Sequence, residues 1–119
     1  MNATNTTTSR AHEAIRRYLE LKDFEVVEDG WAHGQDSIDF IARDSGDLVF
    51  VATSTAANAG EGFPEEPFDR KAFERLAAAY LAETDVAGCN VRLDAVSLLV
   101  VGESRALLKH YVNALSEVG

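Results

Sequence analysis

The stretch Ser37–Thr55, which reads SIDFIARDSGDLVFVATST, decides how the rest of the chain can fold. Two apolar runs, 38–42 and 48–53, flank the polar link Asp-Ser-Gly-Asp. Turn-forming residues between two β-prone runs are typical of an antiparallel hairpin. The first run contains one acid, Asp39, and a carboxylate in such a place is costly unless it is hydrogen-bonded or binds a metal. The sequence therefore predicts a core hairpin with one acid that needs a partner.

The spacing of apolar residues predicts the other elements. A spacing of three or four predicts three helices: about 10–22, about 68–85 and a closing helix after Ser104. Short β-prone runs predict four strands: about 24–28, 37–43, 48–54 and 91–101. The order α-β-β-β-α-β-α predicts an α/β fold, with a mixed four-stranded sheet flanked by helices. In the second strand, side-chain alternation places Ile38, Phe40 and Ala42 on one face.

Composition limits the class of protein. With 119 residues, 46% of them hydrophobic, we expect a disordered polar tail over 1–9 and a single domain over 10–119. No apolar run reaches the roughly 18 residues of a membrane-spanning helix, and the polar N-terminus does not look like a signal peptide, which predicts a cytoplasmic protein with no membrane partner. Cys89 is the only cysteine, which excludes an intramolecular disulfide.

The charge balance argues against broad binding of a nucleic-acid backbone. The chain has 11 basic and 20 acidic residues and a net charge of −9. Local clusters of cations still matter more than the sum. The candidate nucleic-acid contacts, all on the two predicted amphipathic helices, are Arg16, Arg17, Arg70, Lys71 and Arg75.

Four fragments are similar to motifs of one family of small bacterial proteins. They are 38–42 (family G-E-I-D-L-I-A), 48–51 (the start of L-V-F-V-E-V-K), 92–94 (R-F-D) and 110–114 (I-x-H-x-x-N-A). In order and spacing the chain resembles the YraN family over about residues 10–115. That resemblance implies the restriction-endonuclease-like, PD-(D/E)XK fold.

The resemblance also implies a metal-dependent nuclease site, which is mostly missing here. In that fold two carboxylates and a backbone carbonyl hold a divalent metal, and a lysine assists the attacking water. Asp39 matches the first carboxylate, but Ala52 and Ser54 stand at the glutamate and lysine positions of E-V-K, and Ser37 at the glutamate of G-E-I-D. We therefore expect no cofactor, unless Asp39 binds Mg²⁺ or Mn²⁺ in a rebuilt site. Otherwise Asp39 is a remnant that accepts hydrogen bonds from an Arg or a backbone N–H.

Three hypotheses about function follow from these residues. The first is a nuclease-like domain that has lost metal-dependent phosphodiesterase activity and keeps weak DNA binding. The second is a protein-interaction or structural module, with a protein partner or a second copy of itself. The third is an active Mg²⁺-dependent endonuclease with relocated catalytic residues. Arg92 and Asp94, by contrast, are predicted to form a structural pair at the end of the sheet.

Overall fold

The fold is given by a computed structural model, which describes residues 3–57, 69–84, 89–101 and 105–114, with side chains from residue 10 onward. Its helices and strands, in chain order, are α1 (Ala3–Leu21), β1 (Glu25–His33), β2 (Asp36–Asp44), β3 (Asp47–Ala56), α2 (Arg70–Glu83), β4 (Val91–Val100) and β5 (Ala106–Tyr111). The helix α1 begins before the predicted start near residue 10, so the backbone of the predicted tail is helical from Ala3 onward. The prediction of a single domain over 10–119 stays a prediction.

The strands form one mixed sheet in the order β1-β2-β3-β4-β5. Neighbouring strands are antiparallel except β3 and β4, which are parallel from Leu48↔Val91 to Ala56↔Leu99. A parallel pair cannot be closed by a tight turn, and the chain between these two strands contains α2. The predicted hairpin is β2 and β3, which pair as far as Asp44↔Asp47 at the turn.

The two helices cover opposite faces of the sheet. Ile15 and Leu19 of α1 pack in a buried cluster with Val49 and Val51 of β3. Residues of α2, among them Leu76 and Tyr80, pack in a second cluster with Leu48 and Phe50. Because adjacent residues of a strand point to opposite faces, β3 contributes to both clusters and is the centre of the core. Neither helix of the described residues is long and apolar enough to span a membrane.

The predicted closing helix is wrong over its described part. Residues Ala106–Tyr111 are strand β5, antiparallel to β4 from Ala95↔Tyr111 to Val100↔Ala106. The apolar spacing of Leu107 and Tyr111 fits a helix, but as a helix this segment would leave the buried strand β4 without a neighbour on this side. Buried backbone N–H and C=O groups need hydrogen-bond partners, and β5 supplies them. The sheet therefore has five strands instead of four, and residues 115–119 of the predicted helix lie outside the described residues.

The predicted face of Ile38 is also wrong. Phe40 and Ala42 pack in the cluster under α1, but Ile38 packs with Trp31 in the cluster under α2. The β2–β3 pairing ends at Phe40↔Val51, and Gly30, on the other neighbouring strand, has φ 92°. With the regular ladder interrupted on both sides of Asp39, strict alternation no longer holds there.

Candidate functional site

Asp39 lies where β2 separates from β3. The last paired residues are Phe40 and Val51, so Asp39 and Ala52 would be the next pair if the ladder continued. Instead, the Asp39 carboxylate accepts a hydrogen bond from the Thr53 backbone N–H, with N···Oδ2 at 3.0 Å. The half-buried side chain thereby takes the place of a β2 carbonyl as the acceptor for this N–H.

Ala52 and Ser54 follow on the α2 side of β3. Ala52 is buried beside a cavity of about 100 Å³ whose lining includes Ile38, Phe73 and Leu76, with Asp69 as its charged residue. The space beside Ala52, the position that the resemblance matches to a glutamate, is therefore mostly apolar. No group of three or more His, Cys, Asp or Glu side chains that could hold a metal ion occurs among the described residues. One half-buried carboxylate does not match the several oxygen ligands that Mg²⁺ or Mn²⁺ prefers.

Ser54, at the lysine position, is tied to the neighbouring strand. Its Oγ is 2.9 Å from the Oγ of Ser97, which lies opposite it in the β3–β4 register and is fully buried. A buried hydroxyl needs a partner, so Ser54 satisfies Ser97 instead of reaching toward Asp39. Positions 52 and 54 are thus part of the packing between β3, β4 and α2.

The structure divides the predicted nucleic-acid contacts between the two faces of the sheet. Arg16 and Arg17 lie on α1, whereas Arg70, Lys71 and Arg75 lie on α2. Arg16 is paired with Asp29 and with Glu20. Because the two helices cover opposite faces, these five side chains do not form one continuous basic surface.

Ion pairs occupy two of these arginines. Arg75 Nε and Nη2 donate to both oxygens of Asp36 at 2.7 and 2.9 Å, and this lowers the pKa of the Asp36 carboxyl. On α1, His12 and Arg16 both contact the carboxylate of Asp29 and lower its pKa against the effect of partial burial. The charges of Arg16 and Arg75 are therefore partly balanced by these carboxylates.

A second polar centre lies at the opposite end of the sheet, around Asp94. This side chain is fully buried, and Arg92 Nε, His110 Nε2 and the Asn113 backbone N–H all donate to its oxygens, at 2.9, 2.7 and 2.9 Å. Burial acts to raise the pKa of Asp94, but the hydrogen bonds from these three residues outweigh it, so the pKa is lowered. The predicted structural pair of Arg92 and Asp94 is confirmed.

Arg92 and His110 extend this network to other parts of the fold. Arg92 also donates to Asp44 at 2.8 Å and to Asp47 at 3.2 Å, the two ends of the hairpin turn. Because Asp94 can only accept, His110 Nε2 carries the proton toward it, and Nδ1 is hydrogen-bonded to the Tyr18 hydroxyl of α1 at 2.9 Å. The network thus joins the hairpin, α1, β4 and β5. The sequence motifs contain positions 92, 94 and 110. Because residues 106–111 were predicted as a helix, however, the sequence did not predict the contact of His110 with Asp94.

The five-stranded mixed sheet between two helices, with Asp39 at the opening between β2 and β3, is compatible with the restriction-endonuclease-like class of α/β folds. A family model described as "Uncharacterised protein family UPF0102" matches residues 11–98. The chain belongs to this family, the YraN family of the sequence analysis.

Relatives of similar length come from several bacteria. A UPF0102 protein of Beutenbergia cavernae is 37% identical over 97 residues, covering 79% of this chain and 82% of the relative. UPF0102 proteins of Geobacter sulfurreducens and Chlorobaculum tepidum are 26% identical over 108 residues and 29% identical over 114 residues. These alignments cover 88% and 93% of this chain and 84% and 88% of the two relatives, so the similarity extends over most of each protein.

Proposed function

We propose that this protein is a nuclease-like domain that does not carry out metal-dependent phosphodiester hydrolysis. The observation that carries the proposal is the hydrogen bond from the Thr53 N–H to Asp39, with Ala52 and Ser54 at the two neighbouring motif positions. Of these three positions only Asp39 offers a carboxylate to a hard cation, and Ser54 stands where a lysine would assist a water molecule. Asp39 has a structural role in this view, because it closes the end of the β2–β3 ladder.

We further propose weak nucleic-acid binding at the start of α2. Arg70 and Lys71 are exposed in its first turn, and Asp69 and Ala72, on either side of them in sequence, line the cavity beside Ala52. Phosphate groups are attracted by cations and by the positive end of a helix. Because such binding would rest on contacts between these two cations and phosphates, it should weaken as salt is added.

Metal binding is the first expected result. Calorimetric titration of the wild-type protein with Mn²⁺ and then Mg²⁺ should show no saturable heat at millimolar metal, and Asp39→Ala should behave in the same way. Saturable binding to the wild-type protein that disappears in Asp39→Ala would contradict the proposal and favour an active enzyme with relocated ligands. Wild-type and variant should first be shown to be folded by circular dichroism, because Asp39→Ala leaves the Thr53 N–H without its acceptor.

Nucleic-acid binding is the second expected result. At low salt, Arg70→Glu/Lys71→Glu should abolish the binding of a fluorescent single-stranded or branched DNA measured by anisotropy. The matched control is Arg16→Glu/Arg17→Glu, which makes the same charge change on the other face of the sheet and should retain most of the binding. An equal loss in both variants would mean that only net charge matters, and no binding by the wild-type protein would remove this part of the proposal.

A protein-interaction module is the second candidate function. It is favoured by large apolar side chains that are exposed in the described part of the chain, among them Leu21 at 78%, Leu107 at 52% and Val112 at 59%. Two of these, Leu107 and Val112, lie in or directly after the edge strand β5. Exposed apolar groups beside a sheet edge are typical of surfaces that bind another polypeptide.

A further inference from the structure

A cleft between α2 and the turn that joins β1 to β2 lies outside both the Asp39 region and the Asp94 network. It has a volume of about 640 Å³ and is lined by residues 33–36 of the turn and by Arg75, Ala78 and Ala79 of α2. The small side chains of the two alanines leave room beside the helix. A volume of this size is typical of a site that takes a small ligand or one group of a larger ligand.

Three aromatic rings lead from the core to this cleft. The Trp31 ring packs edge-on against Tyr80 of α2, with ring centroids 5.1 Å apart and an angle of 89° between the planes. The His33 ring, two residues further along β1, is parallel to the Trp31 ring within 10°, at a centroid distance of 6.1 Å. Tyr80 is buried, whereas the His33 side chain is 55% exposed and lines the cleft. A planar group in the cleft can therefore continue this series of rings at His33.

The charges around the cleft favour a neutral planar group over a phosphate. Arg75 donates to both oxygens of Asp36, so these two opposite charges lie side by side and the plane of the guanidinium is fixed. Glu83 lies 3.8 Å from His33 Nδ1 and adds a negative charge nearby. A phosphate in the cleft would meet both carboxylates, whereas a nucleobase stacks on a histidine ring or a guanidinium plane without adding charge. The Gln35 amide, also in the lining, can donate to or accept from the edge of a base.

We propose that the cleft takes an unpaired base of a single-stranded nucleic acid whose phosphates lie at the start of α2. This site rests on the nucleic-acid binding proposed above and adds a place for the base. Lys71 precedes Arg75 by four residues, so both lie on the same side of α2, about 6 Å apart along its axis. One nucleotide can thus have its phosphate near Lys71 and its base in the cleft. A base in a duplex would first have to be unpaired and unstacked, which costs free energy, so a single strand is the preferred form.

Two strands of equal length and charge separate the contribution of the bases from that of the phosphates. One is a short single-stranded DNA, and the other has the same backbone with abasic residues throughout. At low salt, anisotropy of a fluorescent label should show the strand with bases bound roughly tenfold or more tightly, because the abasic strand cannot stack. Trp31 is the only tryptophan in the chain and provides a second signal. Its fluorescence should change when the strand with bases binds and not when the abasic strand binds.

Ala78→Leu tests the cleft itself. The larger side chain fills the cleft from an exposed position of α2, and leucine is a good helix former, so the fold should survive. We expect the strand with bases to lose most of its advantage over the abasic strand. His33→Ala, which removes the ring without filling the cleft, should lower the same advantage. The matched control is Ala14→Leu, the same change at an exposed position of α1 on the other face of the sheet, which should retain the advantage.

Each outcome bears on a different part of the proposal. Equal binding of the two strands by the wild-type protein would overturn the base site and leave the phosphate contacts of the proposed function in place. An advantage that persists in both Ala78→Leu and His33→Ala, shown to be folded by circular dichroism, would also overturn it, because the bases would then bind elsewhere. The same conclusion follows if Ala14→Leu loses as much as Ala78→Leu. Failure of both strands to bind at low salt would contradict the base site and the proposed nucleic-acid binding together.

Discussion

Asp94→Asn is expected to lower the free energy of unfolding by about 3–5 kcal/mol, because it removes one member of a buried, hydrogen-bonded charge pair. Asp94 is fully buried, and it holds Arg92, His110 and the Asn113 N–H at once. An amide cannot accept all three bonds with the same strength, and Arg92 keeps only the partly exposed carboxylates of Asp44 and Asp47. Thermal unfolding should show a fall in Tm of more than about 10 °C.

The pH dependence of stability provides an independent check of this result. The pKa of Asp94 is lowered in the folded state, whereas the pKa of an aspartate in the unfolded chain is about 3.9. Below that pH the unfolded chain binds the proton and the folded chain does not, so the contribution of Asp94 is full above it and is lost as the pH falls toward the folded pKa. The difference in stability between wild-type and Asp94→Asn should therefore shrink in acid. Its persistence at low pH would show that the loss comes from packing and not from charge.

Asp29→Asn is the control for this variant. In the wild-type protein the Asp29 carboxylate also contacts a histidine and an arginine, but the Asp29 side chain is 38% exposed. Water and salt screen such a pair, so we expect little change in Tm. A similar loss in both variants would contradict the assignment of Asp94 as the centre that holds the end of the sheet together.

Restoring the motif residues is expected to produce metal binding and cleavage that the wild-type protein lacks. The variant is Ala52→Glu/Ser54→Lys/Ser97→Ala. Position 52 would be the next partner of Asp39 beyond Phe40↔Val51, and the cavity of about 100 Å³ beside it gives the new carboxylate room. Ser97→Ala is included because the buried Ser97 hydroxyl would otherwise lose its partner Ser54, which would lower the free energy of unfolding by about 1–3 kcal/mol.

Calorimetry with Mn²⁺ and a phosphodiester cleavage assay measure the outcome. We expect saturable metal binding, and cleavage about 10²-fold or more above the wild-type background, the lower range for a restored acid–base group. The same variant with Asp39→Asn should bind no metal and cleave nothing, since it lacks the first carboxylate. A folded triple variant without metal binding would mean that the opening between β2 and β3 no longer has the geometry that a divalent cation needs.

The hairpin could be predicted from the sequence because its determinants are local. The polar link between two apolar runs requires a turn, and a strand that is apolar on both faces, such as residues 48–52, has to lie inside a sheet. Ala52 and Ser54, at the positions that the resemblance matches to the motif glutamate and lysine, are likewise visible in the sequence. So is the requirement that Asp39 have a partner, since an acid among apolar residues cannot stay unpaired.

The last strand could not be predicted, because a helix and a strand were both consistent with its apolar residues. Leu107 and Tyr111 have helical spacing, while Leu108 and His110 alternate with them as in a strand. What decides between the two is the hydrogen-bonding need of β4, a segment distant in sequence and buried in the sheet. Local propensity is worth only tenths of a kcal/mol per residue, whereas each unpaired buried backbone group costs about 1–3 kcal/mol.

The sequence by itself determined the mixed α/β class, the family membership and the hairpin, since each follows from residue identity and local spacing. Tertiary structure alone decided which group satisfies Asp39, that Ser54 is bound to Ser97, that the basic residues lie on opposite faces, and that Asp94 joins four elements. The hydrogen bonds from Thr53 to Asp39, between Ser54 and Ser97, and between Tyr18 and His110 join residues 14, 43 and 92 positions apart. They depend on how the sheet and helices pack as a whole, which residue spacing does not encode.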